Sequence, residues 1–419
     1  MQSLTFLWIV DFDYPTHLHH GSALRHINYC RELVQQGHKV LLGVQFEPQY
    51  QEQSRKWFAE LRERGVITDF YELSYAPPPK YLRLAALTPF PSVGNFIVRK
   101  FQLETTRQIE HLIARLNVDV VLVTERRFVF LAARLEASVP FIIDFCDCMA
   151  LHYLRELRNL VRNRKFRPAV RTFRLFLSSL GEDRYYTRRR PIIVVSPVDQ
   201  RALRRIGGKH TQVVTLLNGV SPPSRQPGVE KIRNRLIFSG NMDFPPNYTA
   251  ALWFLDDVFP RVLKEVPDAQ FVIAGANPPP FLQERASGNV LVTGYVEDLN
   301  KEIAQSTVYV APMISGGGFK NKVMEAVVNR TYIVATKLAV EFLEPPIREL
   351  FVVADSAEEM AESIVSLLRD PATCESRLSD LRDQISRTFT WSRRAQELSD
   401  IARGCIDHAR SGHRANRDS

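Results

Sequence analysis

Short, almost wholly apolar runs recur along this chain, and segments with helical apolar spacing lie between them. Leu4–Val10 is the first run. Ser22–Gln36 follows as a helix, with Leu24, Ile27 and Leu33 on one face and Gly37 as its stop. Val40–Phe46, Val118–Val123, Phe141–Phe145 and Ile192–Val195 read as further strands, with helices over Ile97–Leu116 and Phe128–Leu135. The runs do not alternate with polar residues, so both faces of each strand need cover. A parallel sheet with helices on both sides supplies that cover, and its crossovers are the helices themselves.

The punctuation then changes. Asn218-Gly219-Val220-Ser221-Pro222-Pro223-Ser224-Arg225-Gln226-Pro227-Gly228 is rich in turn formers and has no apolar period, which predicts a linker. Beyond it a second alternating series begins. Its strands are Leu236–Ser239, Gln270–Ala274, Val290–Val292, Val308–Val310, Ile333–Ala335 and Phe351–Val353. Its helices are Thr249–Lys264, Leu299–Gln305, Phe319–Val328 and Ala357–Leu368. The expectation is an α/β protein of two doubly wound Rossmann-like domains facing a cleft, over 1–217 and 229–391. Such domains take ligands beyond the carboxyl ends of their strands. The tail from Arg410 is expected to be disordered.

Composition narrows the function classes. Five cysteines in 419 residues do not make a disulfide framework, so reduced thiols and a cytoplasmic setting are expected. The N-terminal run reaches Asp11 without a basic segment before it, unlike a signal peptide, and no apolar run approaches the ~18 residues of a membrane span. The net charge of +9 is concentrated. Residues 155–190 hold twelve Arg or Lys against three acids, and the remainder of the chain is neutral. Among them stand Leu151, Leu154, Leu157, Val161, Phe166, Val170, Phe173, Phe176, Leu177 and Leu180 at helical spacing. A solvated arginine face is one reading, and a face for anionic lipid or a lipid-linked diphosphate is another, which would put the chain on the inner face of a membrane. No nucleic-acid motif accompanies the arginines, so nucleic acid is not an expected partner.

The sharpest local signal is Ser315-Gly316-Gly317-Gly318-Phe319-Lys320-Asn321-Lys322-Val323-Met324-Glu325, between a strand and a helix. Consecutive glycines let backbone approach a ligand, and the helix end beyond them offers N–H groups to an anion. Lys320 and Lys322 add charge, and Glu325 can accept from sugar hydroxyls. A flexible turn, with an i,i+3 ion pair between Lys322 and Glu325, is the plainer alternative.

In order along the chain come Gly240-Asn241-Met242-Asp243-Phe244-Pro245-Pro246-Asn247-Tyr248, Ala274-Gly275-Ala276-Asn277, Val292-Thr293-Gly294-Tyr295-Val296-Glu297-Asp298 and the glycine run with Glu325-Ala326. This series resembles the nucleotide-binding domain of family 4 retaining glycosyltransferases, of GT-B fold, in the branch with three glycines. His20-Gly21-Ser22 and Gly37-His38-Lys39-Val40 extend a weaker resemblance to the first half.

The resemblance implies a nucleotide-diphosphate sugar as donor substrate, no cofactor and no metal. It implies that Glu325 binds the ribose and that Lys322 faces the diphosphate. The amides of Gly317, Gly318 and Phe319 then face the phosphates or the sugar, with Gly316 and Lys320 in the same loop. Tyr295 and Val296 receive the base, and Gly240, Asn241 and Gly21 belong to the donor site. A final helix, about 392–409, would return to the first domain.

The sequence departs from the family at three places. Gly317 stands where the first acid of the acid-x7-acid motif belongs, Gly240–Tyr248 holds no basic residue, and Thr124-Glu125 replaces a histidine. Asp147, after a strand of the first domain, either orients the acceptor hydroxyl or caps the helix that follows.

Weaker signals lead elsewhere. His17, His19 and His20 lack the partners of a zinc site, and Asp11-Phe12-Asp13 suits a strand-end turn. The expected function is retaining transfer of a sugar to a glycan or lipid-linked acceptor in envelope or exopolysaccharide synthesis. A degenerate binding subunit and a sugar-nucleotide epimerase are the alternatives.

Overall fold

The computed structural model describes residues 2–10, 21–46, 48–74, 103–124, 139–162, 164–187, 191–208, 211–221 and 229–415. The expected helix Phe128–Leu135, the histidines 17, 19 and 20, Asp11 to Asp13, Glu125, Arg188 to Arg190 and residues 222–228 of the linker lie outside these.

The chain divides into two units. One combines Met1–Gly219 with Trp391–Ser419, and the other is Val220–Thr390. The first holds seven parallel strands: β1 Thr5–Val10, β2 Lys39–Gln45, β3 Asp69–Leu73, β4 Val120–Val123, β5 Phe141–Cys146, β6 Ile192–Val194 and β7 Val213–Thr215. They lie in the order β3-β2-β1-β4-β5-β6-β7. The pleat explains why β1 is apolar throughout. Phe6, Trp8 and Val10 enter one core, and Leu7 and Ile9 enter the other. The last helix, Trp391–Ala415, packs on that first core through Trp391, Ala395, Leu398, Ala402 and Ile406. It runs beyond Arg410, where the sequence predicted disorder, because an apolar stripe that ends at Ile406 anchors it about one turn earlier.

The second unit has six parallel strands: β8 Ile232–Ser239, β9 Gln270–Ala274, β10 Val290–Gly294, β11 Ser306–Ala311, β12 Tyr332–Ala335 and β13 Val352–Val353. Their order is β10-β9-β8-β11-β12-β13. Direction of winding reverses between β8 and β11, so the helices after these two strands leave to opposite faces and a crevice opens at their carboxyl ends. Both units are α/β Rossmann-like domains, the pair that makes the GT-B architecture.

Candidate functional site

In the second unit the carboxyl ends of the strands are tied together through backbone. Gly240 N donates to Ala274 O at 3.0 Å, Met242 N to Ala276 O at 2.8 Å, and Gly275 N to Gly294 O at 2.9 Å. Gly275 is at φ +140°, and a Cβ there would lie 1.9 Å from the Gly240 carbonyl oxygen. Only glycine permits this approach. At the neighbouring strand end, Ser239 Oγ and the buried Tyr309 hydroxyl meet at 2.9 Å and tie β8 to β11.

The glycine run leaves the end of β11. Gly316 and Gly318 have φ of +98° and +69°, the left-handed region where side chains are strained. Lys320 is 6% exposed and turns its ammonium back onto the loop, donating to Gly317 O and, at 3.4 Å, to Gly318 O. It therefore braces the turn. The helix Asn321–Val328 begins directly after, with no side chain capping its first turn. Phe319 points away from the loop into an aromatic group, 4.4 Å from the Phe342 ring centroid.

Lys322 lies in the first turn of that helix. Its Nζ donates to Asn247 Oδ1 at 2.6 Å and sits 4.7 Å from the centroid of the Phe238 ring. Asn247 is buried, and its Nδ2 donates to Asn241 O at 2.8 Å. The missing Cβ of Gly240 makes room for both, since it would fall 2.7 Å from Lys322 Nζ. The end of β8 carries no basic residue of its own, and Lys322 brings an ammonium to it from the far side of the switch point. Burial, reinforced by Lys320, pushes the Lys322 ammonium down to about 7 against the pull of Glu325.

Glu325 is half-buried one turn further on. Burial raises its carboxyl above the usual range, with Lys322 pulling it back. The i,i+3 ion pair is absent: among the described residues Lys322 pairs with Asn247, and no hydrogen bond or ion pair holds the Glu325 carboxylate. Tyr295 follows β10 and is 66% exposed, with Val296 half-buried beside it. Asn241 lies close to Asn277, whose Nδ2 is 3.5 Å from Asn241 Oδ1. Of the residues singled out in sequence, the structure gathers Gly240, Asn241, Gly316, Gly317, Gly318, Lys320, Lys322 and Glu325 around the ends of β8 and β11. Sequence reasoning missed Asn247, whose signal was a polar residue sited just inside a proline-initiated helix.

The first unit holds the remaining two. Gly21 opens the helix Gly21–Gln35. Asp147 is half-buried after β5, beside Cys146 at φ +58°. The amides that follow are held by other acids: Cys148 N donates to Asp199 Oδ1 and Ala150 N to Asp183 Oδ2, each at 3.0 Å.

Near Asp147 lies a buried network that the sequence did not disclose. Arg25 is 1% exposed. Its Nε donates to Asp144 Oδ2 at 3.1 Å, and its Nη1 to Leu216 O at 3.1 Å and Asn218 Oδ1 at 2.5 Å. His26, Asp144 and Cys146 bring potential metal-ligating atoms within 4.8 Å of one another. The Arg25 guanidinium already neutralises the one carboxylate of this group, and burial with Arg25 beside it lowers His26 to about 4. The donor set fits a buried ion pair better than a cation.

Residues 233–370 match the family described as "Glycosyl transferases group 1". An uncharacterized 44.6 kDa protein in the cps region of Klebsiella pneumoniae is 26% identical over 140 residues, 31% of this chain and 36% of that one. A phosphatidyl-myo-inositol mannosyltransferase of Mycobacterium leprae is 26% identical over 201 residues, 45% of this chain and 52% of that one. The chain thus spans between about a third and half of the curated relatives it matches. A glycosyltransferase from Rickettsia africae superposes with a TM-score of 0.65 at 13% identity, covering 97% of this chain and 99% of that one. HepE of Anabaena in complex with UDP gives 0.64 at 14% identity, covering 96% and 100%. These two likenesses concern the fold.

Proposed function

We propose that this protein is a retaining glycosyltransferase that moves a sugar from a nucleotide-diphosphate sugar to a glycan or lipid-linked acceptor on the cytoplasmic side of an envelope. The observation that carries the reading is the ammonium of Lys322 beside a glycine turn and an uncapped helix end, at the switch point of the second sheet. A diphosphate has the charge and the acceptor oxygens for that arrangement. The relatives support the same chemistry: one is a mannosyltransferase, and HepE was solved with UDP.

In this reading the anomeric carbon–oxygen bond to the diphosphate breaks while the acceptor oxygen forms a bond on the same face. The departing diphosphate takes the acceptor proton. Lys322 stabilises the charge that grows on the leaving group, aided by the amides of Gly317, Gly318 and Phe319. Gly316 and Lys320 hold the turn. Glu325 accepts from the ribose hydroxyls, and Tyr295 and Val296 flank the base, with Gly240 and Asn241 lining the diphosphate. In the first unit, Gly21 is the candidate donor contact and Asp147 the candidate for orienting the acceptor hydroxyl. Catalysis rests on positioning and charge stabilisation, so no dedicated base, metal or cofactor is invoked.

Calorimetric titration of UDP-, GDP- and ADP-sugars, followed by a hydrolysis assay, tests this. Binding with release of free sugar supports the enzyme. Binding without turnover points to a donor-binding subunit, a reading that Gly317 in place of an acid favours. No binding by any of them removes both.

A further inference from the structure

The charged stretch of the first unit folds into two helices, Met149–Arg162 and Phe166–Thr187, and the second carries an apolar ridge on its outside. Phe166 is 65% exposed, Val170 57%, Phe173 47% and Leu177 39%. Their spacing of four, three and four residues puts all four on one line along the helix, about 16 Å long at 1.5 Å per residue. The side turned inward is separate and bears Ala169, Thr172, Ser179 and Asp183. Phe173 borders that side through Phe176, whose ring centroid is 6.5 Å from its own and which packs against the core, while Phe166, Val170 and Leu177 stand further out. Large apolar side chains in an unbroken row on the surface mark a face that something covers.

The flank of the same helix states the chemistry of the cover. Arg167, Arg171 and Arg174 lie next to the ridge on its solvent side and are exposed. Among the described residues none of them forms an ion pair or a hydrogen bond, and the nearby Glu156 meets His152 and Thr172 instead. Val161, 50% exposed, adds an apolar side chain at the end of the adjoining helix, with Arg162, Arg164 and Lys165 in the turn between. A second copy of this chain would set one row of unpaired arginines against another. An anionic bilayer accommodates both features at once, with aromatic side chains below the headgroups and guanidinium groups among the phosphates.

We infer that the outer face of Phe166–Thr187 binds the surface of an anionic lipid bilayer through Phe166, Val170, Phe173 and Leu177, with Arg167, Arg171 and Arg174 on the headgroups. The inference stands on these helices and not on the reading of the donor site. No helix among the described residues is long and apolar enough to cross a membrane, so the contact is superficial.

The test is sedimentation of the full chain with vesicles of phosphatidylcholine alone and with about a third phosphatidylglycerol, at low and high salt. Wild type is expected to pellet with the anionic vesicles in low salt and to be released by high salt. Arg167→Ser/Arg171→Ser/Arg174→Ser should weaken partition roughly a hundredfold, at about fivefold per charge. Phe166→Ser/Phe173→Ser should weaken it at least tenfold while keeping the melting temperature and nucleotide binding of wild type. Equal recovery of wild type from neutral and anionic vesicles overturns the inference. So does unchanged partition of the Phe variant. A concentration-dependent dimer that the Phe variant abolishes, with no vesicle binding by wild type, assigns the face to a second copy instead. Equal affinity for a homopolymeric nucleic acid, unaffected by the Phe variant, makes it a plain polyanion surface.

Discussion

Lys322 reaches across the switch point of the second sheet to donate a 2.6 Å hydrogen bond to Asn247, 75 residues earlier in the chain. The amide of Asn247 is used at both ends, since its Nδ2 holds Asn241 O at 2.8 Å. The ammonium is thereby fixed in direction before any ligand arrives. Asn247→Ala removes a hydrogen bond to a charged group, typically about 1.5–3 kcal/mol, and frees the lysine to wander. Affinity for the nucleotide diphosphate should fall roughly tenfold with little change in fold. Calorimetry on variant and wild type decides; equal dissociation constants would show that Asn247 only packs.

If Lys322 faces the diphosphate as proposed, its depressed ammonium should make donor binding pH-dependent. Near pH 7 the unliganded ammonium is partly deprotonated. An anion beside it restores the proton, so binding takes up protons at pH 7–9. Affinity should be highest below pH 7 and fall by up to tenfold per unit above it. Titrations in buffers of different ionisation enthalpy measure the uptake, and a pH-independent heat refutes the coupling. The same depression has a stability sign. The folded value lies below the ordinary lysine value of 10.5, so stability contributed here is lost as pH falls from about 10.5 to about 7 and stays lost below. Lys322→Met should gain roughly 1 kcal/mol at neutral pH while abolishing donor affinity.

Glu325 follows the same logic with the opposite charge. Its raised carboxyl means that the ionised form costs stability at pH 7, and this cost fades as pH drops through the raised value. Glu325→Gln should melt at a higher temperature than wild type. If the carboxylate grips ribose, the same change weakens nucleotide binding about ten- to a hundredfold, since charge-assisted hydrogen bonds are lost. A variant that is more stable and binds equally well would make Glu325 a bystander.

Much of this site could be read from one stretch of sequence, because Gly316–Glu325 is a local motif on a single turn and helix. The turn shortens the helix, which begins at Asn321 rather than at Phe319, since Gly318, Phe319 and Lys320 serve the loop. The apolar strands were equally plain, being buried on both faces. What escaped depends on tertiary placement. β3, with Asp69 and Glu72, sits at a sheet edge and keeps polar residues, and β7 is only three residues long. Asn247 acquires its role from the order of strands. Arg25 and Asp144 lie 119 residues apart, and nothing local to either announces the pair.

Gly275 is a backbone requirement with a stability readout. With its Cβ position 1.9 Å from Gly240 O and φ at +140°, Gly275→Ala must push the ends of β8 and β9 apart. The expected loss is about 2–4 kcal/mol, together with weakened nucleotide binding as Gly240 moves. Gly288, which has nothing within 4 Å of its Cβ position, is the control. If Gly275→Ala and Gly288→Ala denature alike, the approach is not tight in solution.

The Arg25–Asp144 pair should be the most sensitive point of the first unit. Both side chains are nearly inaccessible, at 1% and 3%. Asp144→Ala leaves a guanidinium buried with only neutral partners at Leu216, Asn218 and Tyr29. Breaking one side of such a pair costs about 3–5 kcal/mol, whereas replacing both with apolar residues is often near neutral. Asp144→Leu combined with Arg25→Met should therefore be more stable than either single change. Fluorescence of Trp8, Trp57 and Trp391, which pack in or against one core of that unit, follows its unfolding in urea. A positive coupling of at least 2 kcal/mol in the double-mutant cycle is expected. Additive losses would mean that the two charges do not interact, and that Arg25 is held by Leu216 and Asn218 rather than by Asp144.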